Sequence, residues 1–155
     1  MMHKVFLLLG SNMNPQKNIR LAIDKLREHC QVLSTSRVWK TKASGTVGPD
    51  FLNQAVVIET SLSKSALKES CLAIIENQLG RKRTSNKYAP RTIDLDIIVF
   101  DDEILDDNLW TFNFIALPMA EIYPNLHHPS KNKTLRQIAD EIRELAPAAP
   151  YTVKE

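Results

Sequence analysis

Tyr88-Ala89-Pro90-Arg91-Thr92-Ile93-Asp94-Leu95-Asp96-Ile97-Ile98-Val99-Phe100 is the stretch on which the fold turns. Its second half is aliphatic and β-branched, the composition of a buried strand. Asp94 and Asp96 interrupt it two positions apart, so they share one face, while Ile93, Leu95 and Ile97 turn the other way into a core. Strand geometry places the two carboxylates roughly 7 Å apart. Like charges held together in this way call for a cation. A hard divalent ion such as Mg²⁺ takes one or two carboxylates and completes its shell with water and phosphate oxygens. Arg91, just before the first aspartate, is placed to meet such phosphates. Alone, an Asp-x-Asp on an edge strand is equally a solvated face or a guard against edge pairing. The surrounding sequence decides between these readings.

Working back from the aspartate strand, residues 81–87 form a basic loop, closing a helix that opens at Ser63. The stripe of that helix is Ala66, Leu67, Cys71, Ile74, Ile75 and Leu79, and Gly80 stands in the C′ position. This spacing puts Glu76 on the exposed side. Before it come a strand over 51–59, a loop over 41–50 containing two glycines and a proline, and strand character from Val32 to Trp39. A helix over 15–29 starts at Asn14-Pro15, an N-cap followed by proline at the first helical position, and carries Ile19, Ala22, Ile23 and Leu26 at helical spacing. The first strand runs from Lys4 to Leu9 and ends at Gly10-Ser11-Asn12. The order β-α-β-β-α-β predicts an α+β, ferredoxin-like core. Beyond it, a short strand near 103–105 and a helix from about Thr134 to Leu145 are expected, with 1–146 as one domain and 147–155 as a loose tail.

A chain of 155 residues buries an adequate core without disulfides or a structural metal. A net charge of +2 gives no bulk field for nucleic acid or a membrane surface. Cys30 and Cys71 have no neighbouring partner and are expected as buried free thiols in a reducing compartment. No apolar run reaches the length needed to span a bilayer, and Val5–Leu9 is too short for a secretory signal, so a cytoplasmic location is expected. There is no G-x-x-x-x-G-K-[ST] or G-x-G-x-x-G segment, which removes P-loop and Rossmann nucleotide binding. His3, His29, His127 and His128 lack metal-ligand spacing, and His127-His128 before Pro129 reads as surface.

Pro90-Arg91-x-x-Asp94-Leu95-Asp96-Ile97-Ile98 resembles the signature of the 6-hydroxymethyl-7,8-dihydropterin pyrophosphokinase family. Leu9-Gly10-Ser11-Asn12, Phe51-Leu52-Asn53-Gln54-Ala55-Val56, Glu76 with Leu79-Gly80-Arg81-Lys82-Arg83, and Pro118-Met119-Ala120-Glu121-Ile122-Tyr123-Pro124 fit the same family in order. The resemblance spans residues from about 3 to about 137.

It implies transfer of the β,γ-pyrophosphoryl group of ATP to a pterin hydroxymethyl group, releasing AMP, in folate biosynthesis. Two Mg²⁺ ions would be carried by Asp94 and Asp96, with Asp96 assisting removal of the hydroxyl proton. Arg81, Arg83 and Arg91 would act as phosphate clamps, a task suited to the planar guanidinium fork, although a basic turn after a helix is also an ordinary solvated loop. Glu76 and Ile97 would join those arginines around the nucleotide. Phe51 and Phe114 would stack on the pterin, Asn53 would read its donor–acceptor edge, and Thr41 to Ser44 would add backbone contacts. Tyr88 stands where the family often has tryptophan. The implied partners are the two small-molecule substrates, without nucleic acid or membrane, and a monomer is the simplest expectation.

The chain departs from the family pattern before Phe114. A Pro-His pair and a later arginine are replaced by Asp107-Asn108-Leu109-Trp110-Thr111-Phe112-Asn113, with Phe112 in the arginine's place. Lys42-Ala43-Ser44 replaces a proline-rich opening of the substrate loop, and Ala89 a glycine. Losing one charge-assisted contact costs about 1.5–3 kcal/mol. Two alternatives arise from these departures and from the fold: a diverged relative that binds nucleotide or another pterin with weak transfer, and a nucleic-acid module. The second would need stacking aromatics where this chain carries Asp94 and Asp96.

Overall fold

His3–Ser11 forms β1, the strand around which the remainder is arranged. From Val5 onward it is buried without alternation, as required of a strand covered on both faces. The computed structural model describes residues 1–41, 50–81, 92–145 and 149–150. In it, β1 pairs with β4 (Phe51–Thr60) on one side and β5 (Asp94–Phe100) on the other, both antiparallel. The sheet continues outward as β6 (Glu103–Ile104) beside β5, and β3 (Trp39–Thr41) then β7 (Ala149–Pro150) beside β4. β2 (Gln31–Thr35) pairs with the far half of β4. The result is a mixed structure of helices on an antiparallel sheet.

Alternation along the strands separates two cores. Val5, Leu7, Leu9, Leu52, Val56, Ile58 and Leu95 face one side, under α1 (Pro15–His29) and the helical stretch from α2 (Lys64–Leu67) to α3 (Ala73–Gln78). Phe6, Leu8, Ala55, Val57, Ile98 and Val99 face the other, under α4 (Asn113–Ile122) and α5 (Leu135–Leu145). A bulge in β5 opposite Phe6 and Leu7 lets Ile98 and Val99 both enter this second core.

Several expectations need correction. The strand expected over 32–39 is two strands. At the break the Ser36 hydroxyl accepts from the Ala55 N–H, and the Ser36 N–H donates to the Ala55 carbonyl, so the ladder partner stays satisfied while the chain turns. α1 has the expected bounds, but Asn14 adopts a left-handed conformation (φ 42°) and makes no side-chain cap; the Asn18 side chain reaches back to the Met13 carbonyl instead. α4 was not expected at all. α5 starts as predicted, through a capping box in which Thr134 and Gln137 bond reciprocally. In the tail read as loose, Ala149 and Pro150 pair with Lys40 and Trp39. Cys71 is a buried free thiol, whereas Cys30 is only half-buried at the end of α1; burial pushes its thiol up to about 11, Cys71 adding to the shift. Among the described residues no helix is long and apolar enough to cross a membrane.

Candidate active site

The carboxylate pair stands at the start of β5, on the face covered by α4. Asp94 pairs in register with Gly10 and Asp96 with Leu8, and Gly10 in turn pairs with Asn53. Asn53, Gly10 and Asp94 therefore form one row across three strands, spanning roughly 10 Å at ordinary strand spacing. Gly10 is required by its neighbour: a Cβ there would lie 2.9 Å from Asn53 Oδ1. Asn53 is buried and donates through Nδ2 to the Thr41 hydroxyl at 3.1 Å. Phe51 and Thr41 are paired on the same face, and Phe114 lies near the start of the covering helix.

Gly10→Ala is therefore expected to displace the Asn53 amide and break its bond to Thr41. Loss of a positioned buried hydrogen bond costs about 1–1.5 kcal/mol of stability. A urea titration giving a lower midpoint than wild type checks this.

Glu76 contradicts its expected exposure: it is only 5% exposed. The cause is a π-turn, Lys68–Leu72, between α2 and α3. A π-turn takes in about one extra residue, so the residues after it lag by roughly 100° relative to a continuous α-helix. Ile74, on the predicted apolar stripe, is thereby turned out to 41% exposure, and Glu76 is turned in. Its Oε2 accepts from the backbone N–H of Leu95 at 2.8 Å. This donor lies on the edge of β5 that β6, paired only at Val99 and Phe100, does not reach.

Arg81, just beyond the left-handed Gly80 (φ 88°), closes the arrangement. Its Nη1 lies 2.5 Å from Glu76 Oε2 and 2.8 Å from Asp94 Oδ1. One guanidinium nitrogen thus serves two carboxylates on different elements. Burial pushes the Glu76 carboxyl up and Asp94 adds to this, against the Leu95 N–H and Arg81, which favour the charged form. Asp96 is pushed up to about 7, first by the protein packed around it and then by Asp94, Glu76 and Asp106, with Arg81 opposing. Asp96 as a residue is nevertheless exposed to solvent. That contact tempers the burial contribution, and the like-charge contribution is the one a bound cation would cancel.

The donor set fits a hard divalent ion. It consists of two strand carboxylates, one of which, Asp96, feels like-charge repulsion from Asp94, Glu76 and Asp106 that Arg81 opposes. Among the described residues no group of three or more His, Cys, Asp or Glu could hold a metal; an ion on the two strand carboxylates would complete its shell with water and other oxygen ligands.

Ile97, expected near the nucleotide, packs against the first core, on the opposite side of β5 from Asp96. Ser44, Arg83, Tyr88 and Arg91 lie outside the described residues. Phe112, in the position of the missing arginine, is 45% exposed and stacks on Phe114 with ring centres 5.4 Å apart. Two supporting residues received no role from the sequence. Ser11 donates to the Thr92 carbonyl at 2.5 Å, tying the end of β1 to the entry of β5. Glu121 is the other; the signal available was a carboxylate inside the apolar run from Pro118 to Ile122.

Fold and site together define a class: an antiparallel sheet presenting a carboxylate pair, an associated arginine and an amide across one face, the equipment of a phosphoryl-type transferase. Residues 6–124 match the family model of 7,8-dihydro-6-hydroxymethylpterin-pyrophosphokinase, and the chain belongs to this family. It is 33% identical over 161 residues to 2-amino-4-hydroxy-6-hydroxymethyldihydropteridine pyrophosphokinase of Synechocystis sp., covering 96% of this chain and 82% of that protein. The identity to the protein of the same name from Aquifex aeolicus is also 33%, over 90% of this chain and 92% of that one. Among solved structures, wild-type HPPK-DHPS of Plasmodium falciparum superimposes with a TM-score of 0.73 at 13% identity, covering 93% of this chain and 42% of that longer one.

Proposed function

We propose that this protein transfers pyrophosphate from ATP to 6-hydroxymethyl-7,8-dihydropterin, releasing AMP, as a step of folate biosynthesis. The observation that carries this reading is the placement of Asp94 and Asp96 on one face with Arg81 already beside Asp94 and the Asn53–Thr41 pair in the same row of the sheet. The strand order β5-β1-β4-β3, with crossovers through α1 and through α2–α3, supports the ferredoxin-like reading of the core. Residues 1–146 are taken as one catalytic domain.

Asp94 and Asp96 would hold magnesium, which neutralises charge on the polyphosphate when bound. In the transfer, the hydroxymethyl oxygen bonds to the β-phosphorus of ATP, the bond from that phosphorus to the α–β bridging oxygen breaks, and AMP leaves. The hydroxyl proton must go elsewhere, and Asp96, on the same face of β5 as Asp94, is the group assigned to assist its removal. Arg81 contributes positive charge at the same place. Glu76 fixes where that charge sits while holding the β5 edge through Leu95. Asn53, kept in one orientation by Thr41 and given its room by Gly10, reads the pterin edge, and Phe51 and Phe114 supply its apolar faces. Arg83 and Arg91 are assigned as further phosphate clamps, Thr41 to Ser44 and Tyr88 to the substrate loops, and Ile97 to the nucleotide through its backbone.

The exposed Phe112 favours a second reading, a relative tuned to a different pterin or with weaker nucleotide binding. AMP formation from Mg-ATP, with and without 6-hydroxymethyl-7,8-dihydropterin, separates the two. Pterin-dependent AMP supports the transferase. ATP binding without AMP supports the second reading, and neither binding nor turnover overturns both.

A further inference from the structure

We infer that Glu121 is a positioning residue that sets the separation between the two walls of the pterin site, an assignment that rests on the pterin reading above. Glu121 lies near the end of α4, and its side chain, 23% exposed, reaches the junction of β2 and β3. Its Oε1 accepts from the Arg37 backbone N–H at 2.8 Å. Its Oε2 accepts from Arg37 Nε at 3.0 Å and from the indole Nε1–H of Trp39 at 3.0 Å, and lies 2.9 Å from Arg37 Nη2. A single carboxylate thus takes one backbone and three side-chain donors, all from two residues of the neighbouring strand region.

Those two residues lead directly into the site. Trp39 is the register partner of Asn53, and Thr41, two residues on, accepts the Asn53 side-chain bond. Trp39 is itself 3% exposed, packed with Leu117 and Ala139, and lies beneath the guanidinium groups of Arg37 and Arg143 at 5.3 and 5.4 Å from the ring centre. On the other side of the tie, Glu121 and Phe114 are seven residues apart on α4, two helical turns, and so share one face of the helix. The helix that carries the stacking ring is therefore fastened to the strand pair that carries the amide by a charged multidentate contact. Among the described residues, α4 and β3 are otherwise joined at that level by apolar packing, which tolerates sliding far better than a directional bond does.

The prediction is a selective loss. Glu121→Ala is expected to raise KM and Kd for 6-hydroxymethyl-7,8-dihydropterin about tenfold, with KM for ATP unchanged and kcat within about twofold. Glu121→Gln, which keeps an acceptor for one donor, is expected to recover part of that loss. Trp39→Phe, which removes only the indole N–H, should give a smaller rise of the same kind and serves as the variant if Glu121→Ala does not fold. A folded Glu121→Ala or Trp39→Phe with unchanged pterin affinity, or with both substrates weakened equally, overturns the inference. Pterin titration of the wild type is read first: no binding there removes the functional reading itself, whereas wild-type binding matched by the variants removes only the positioning role.

Discussion

Asp96→Asn is expected to reduce pyrophosphoryl transfer by a thousandfold or more and, at the same time, to raise the melting temperature at pH 8. The loss of rate follows from the two roles proposed for Asp96, cation ligand and aid to removal of the hydroxyl proton, each commonly worth at least about 10²-fold. The gain in stability comes from linkage. The Asp96 carboxyl is held up to about 7 in the folded chain, above the ordinary aspartate value. Between those two values the folded state binds more protons than the unfolded state, so stability falls as pH rises through the interval and stays low above it. Asparagine carries no charge to repel Asp94, Glu76 and Asp106, so it escapes this loss. Because Asp96 keeps solvent contact, the benefit is on the order of 1 kcal/mol at pH 8 and vanishes near pH 4. Paired melting curves at the two pH values, with and without magnesium, provide the check; added magnesium should stabilise the wild type and not the variant.

Arg81→Ala has the other large effect, with the opposite sign for the fold. The guanidinium sits between Glu76 Oε2 and Asp94 Oδ1 with only 15% of its side chain exposed. Removing it leaves a carboxylate buried beside another, a change that costs about 3–5 kcal/mol when a buried pair is broken from one side. Glu76 already has its carboxyl pushed up by burial, and losing Arg81 pushes it further. The folded state then takes up a proton more readily than the unfolded one over a wider range, so the variant's deficit grows as pH rises through that range. Arg81→Ala should be markedly less stable at pH 8 than at pH 5, a difference urea titration reads directly. Adding Glu76→Gln should recover much of the stability by removing the stranded charge. Turnover should stay at least about a hundredfold down, since the positive charge proposed to meet the phosphates is still missing. Recovery of turnover in the double variant would show that Arg81 acts only on the fold.

The strands that build the carboxylate row were readable because their chemistry is local. An apolar run with two aspartates two apart can only put both on one face, and the pairing of Asp94 with Gly10 and of Gly10 with Asn53 needs only the expected strand order. α1 was readable to the residue, since Pro15 and the Ile19–Leu26 stripe mark it without tertiary help. α4 was hidden because its local signals point away from a helix. Pro118 stands inside it, and Phe112 at its N-cap offers no side-chain acceptor. It is held by burial of Ile115, Ala116, Leu117 and Met119 against the sheet and α5. The inward turn of Glu76 was hidden for a different reason. Periodicity assumes constant pitch, and the π-turn at Lys68–Leu72 breaks that assumption midway between Lys64 and Gln78.

That π-turn also determines where this helix can change length. The wide turn, which itself carries Cys71 and Leu72, decouples the segment carrying Leu67 from the segment carrying Ile75 and Glu76, and both reach the core only because the surplus residue is absorbed between them. Deleting one residue within Lys68–Leu72 should restore ordinary pitch with both ends unmoved, giving a shorter chain that folds and turns over. Deleting one residue between Glu76 and Arg81 should separate the carboxylate from its guanidinium and inactivate the protein. Chain length is therefore negotiable on one side of Ala73 and fixed on the other.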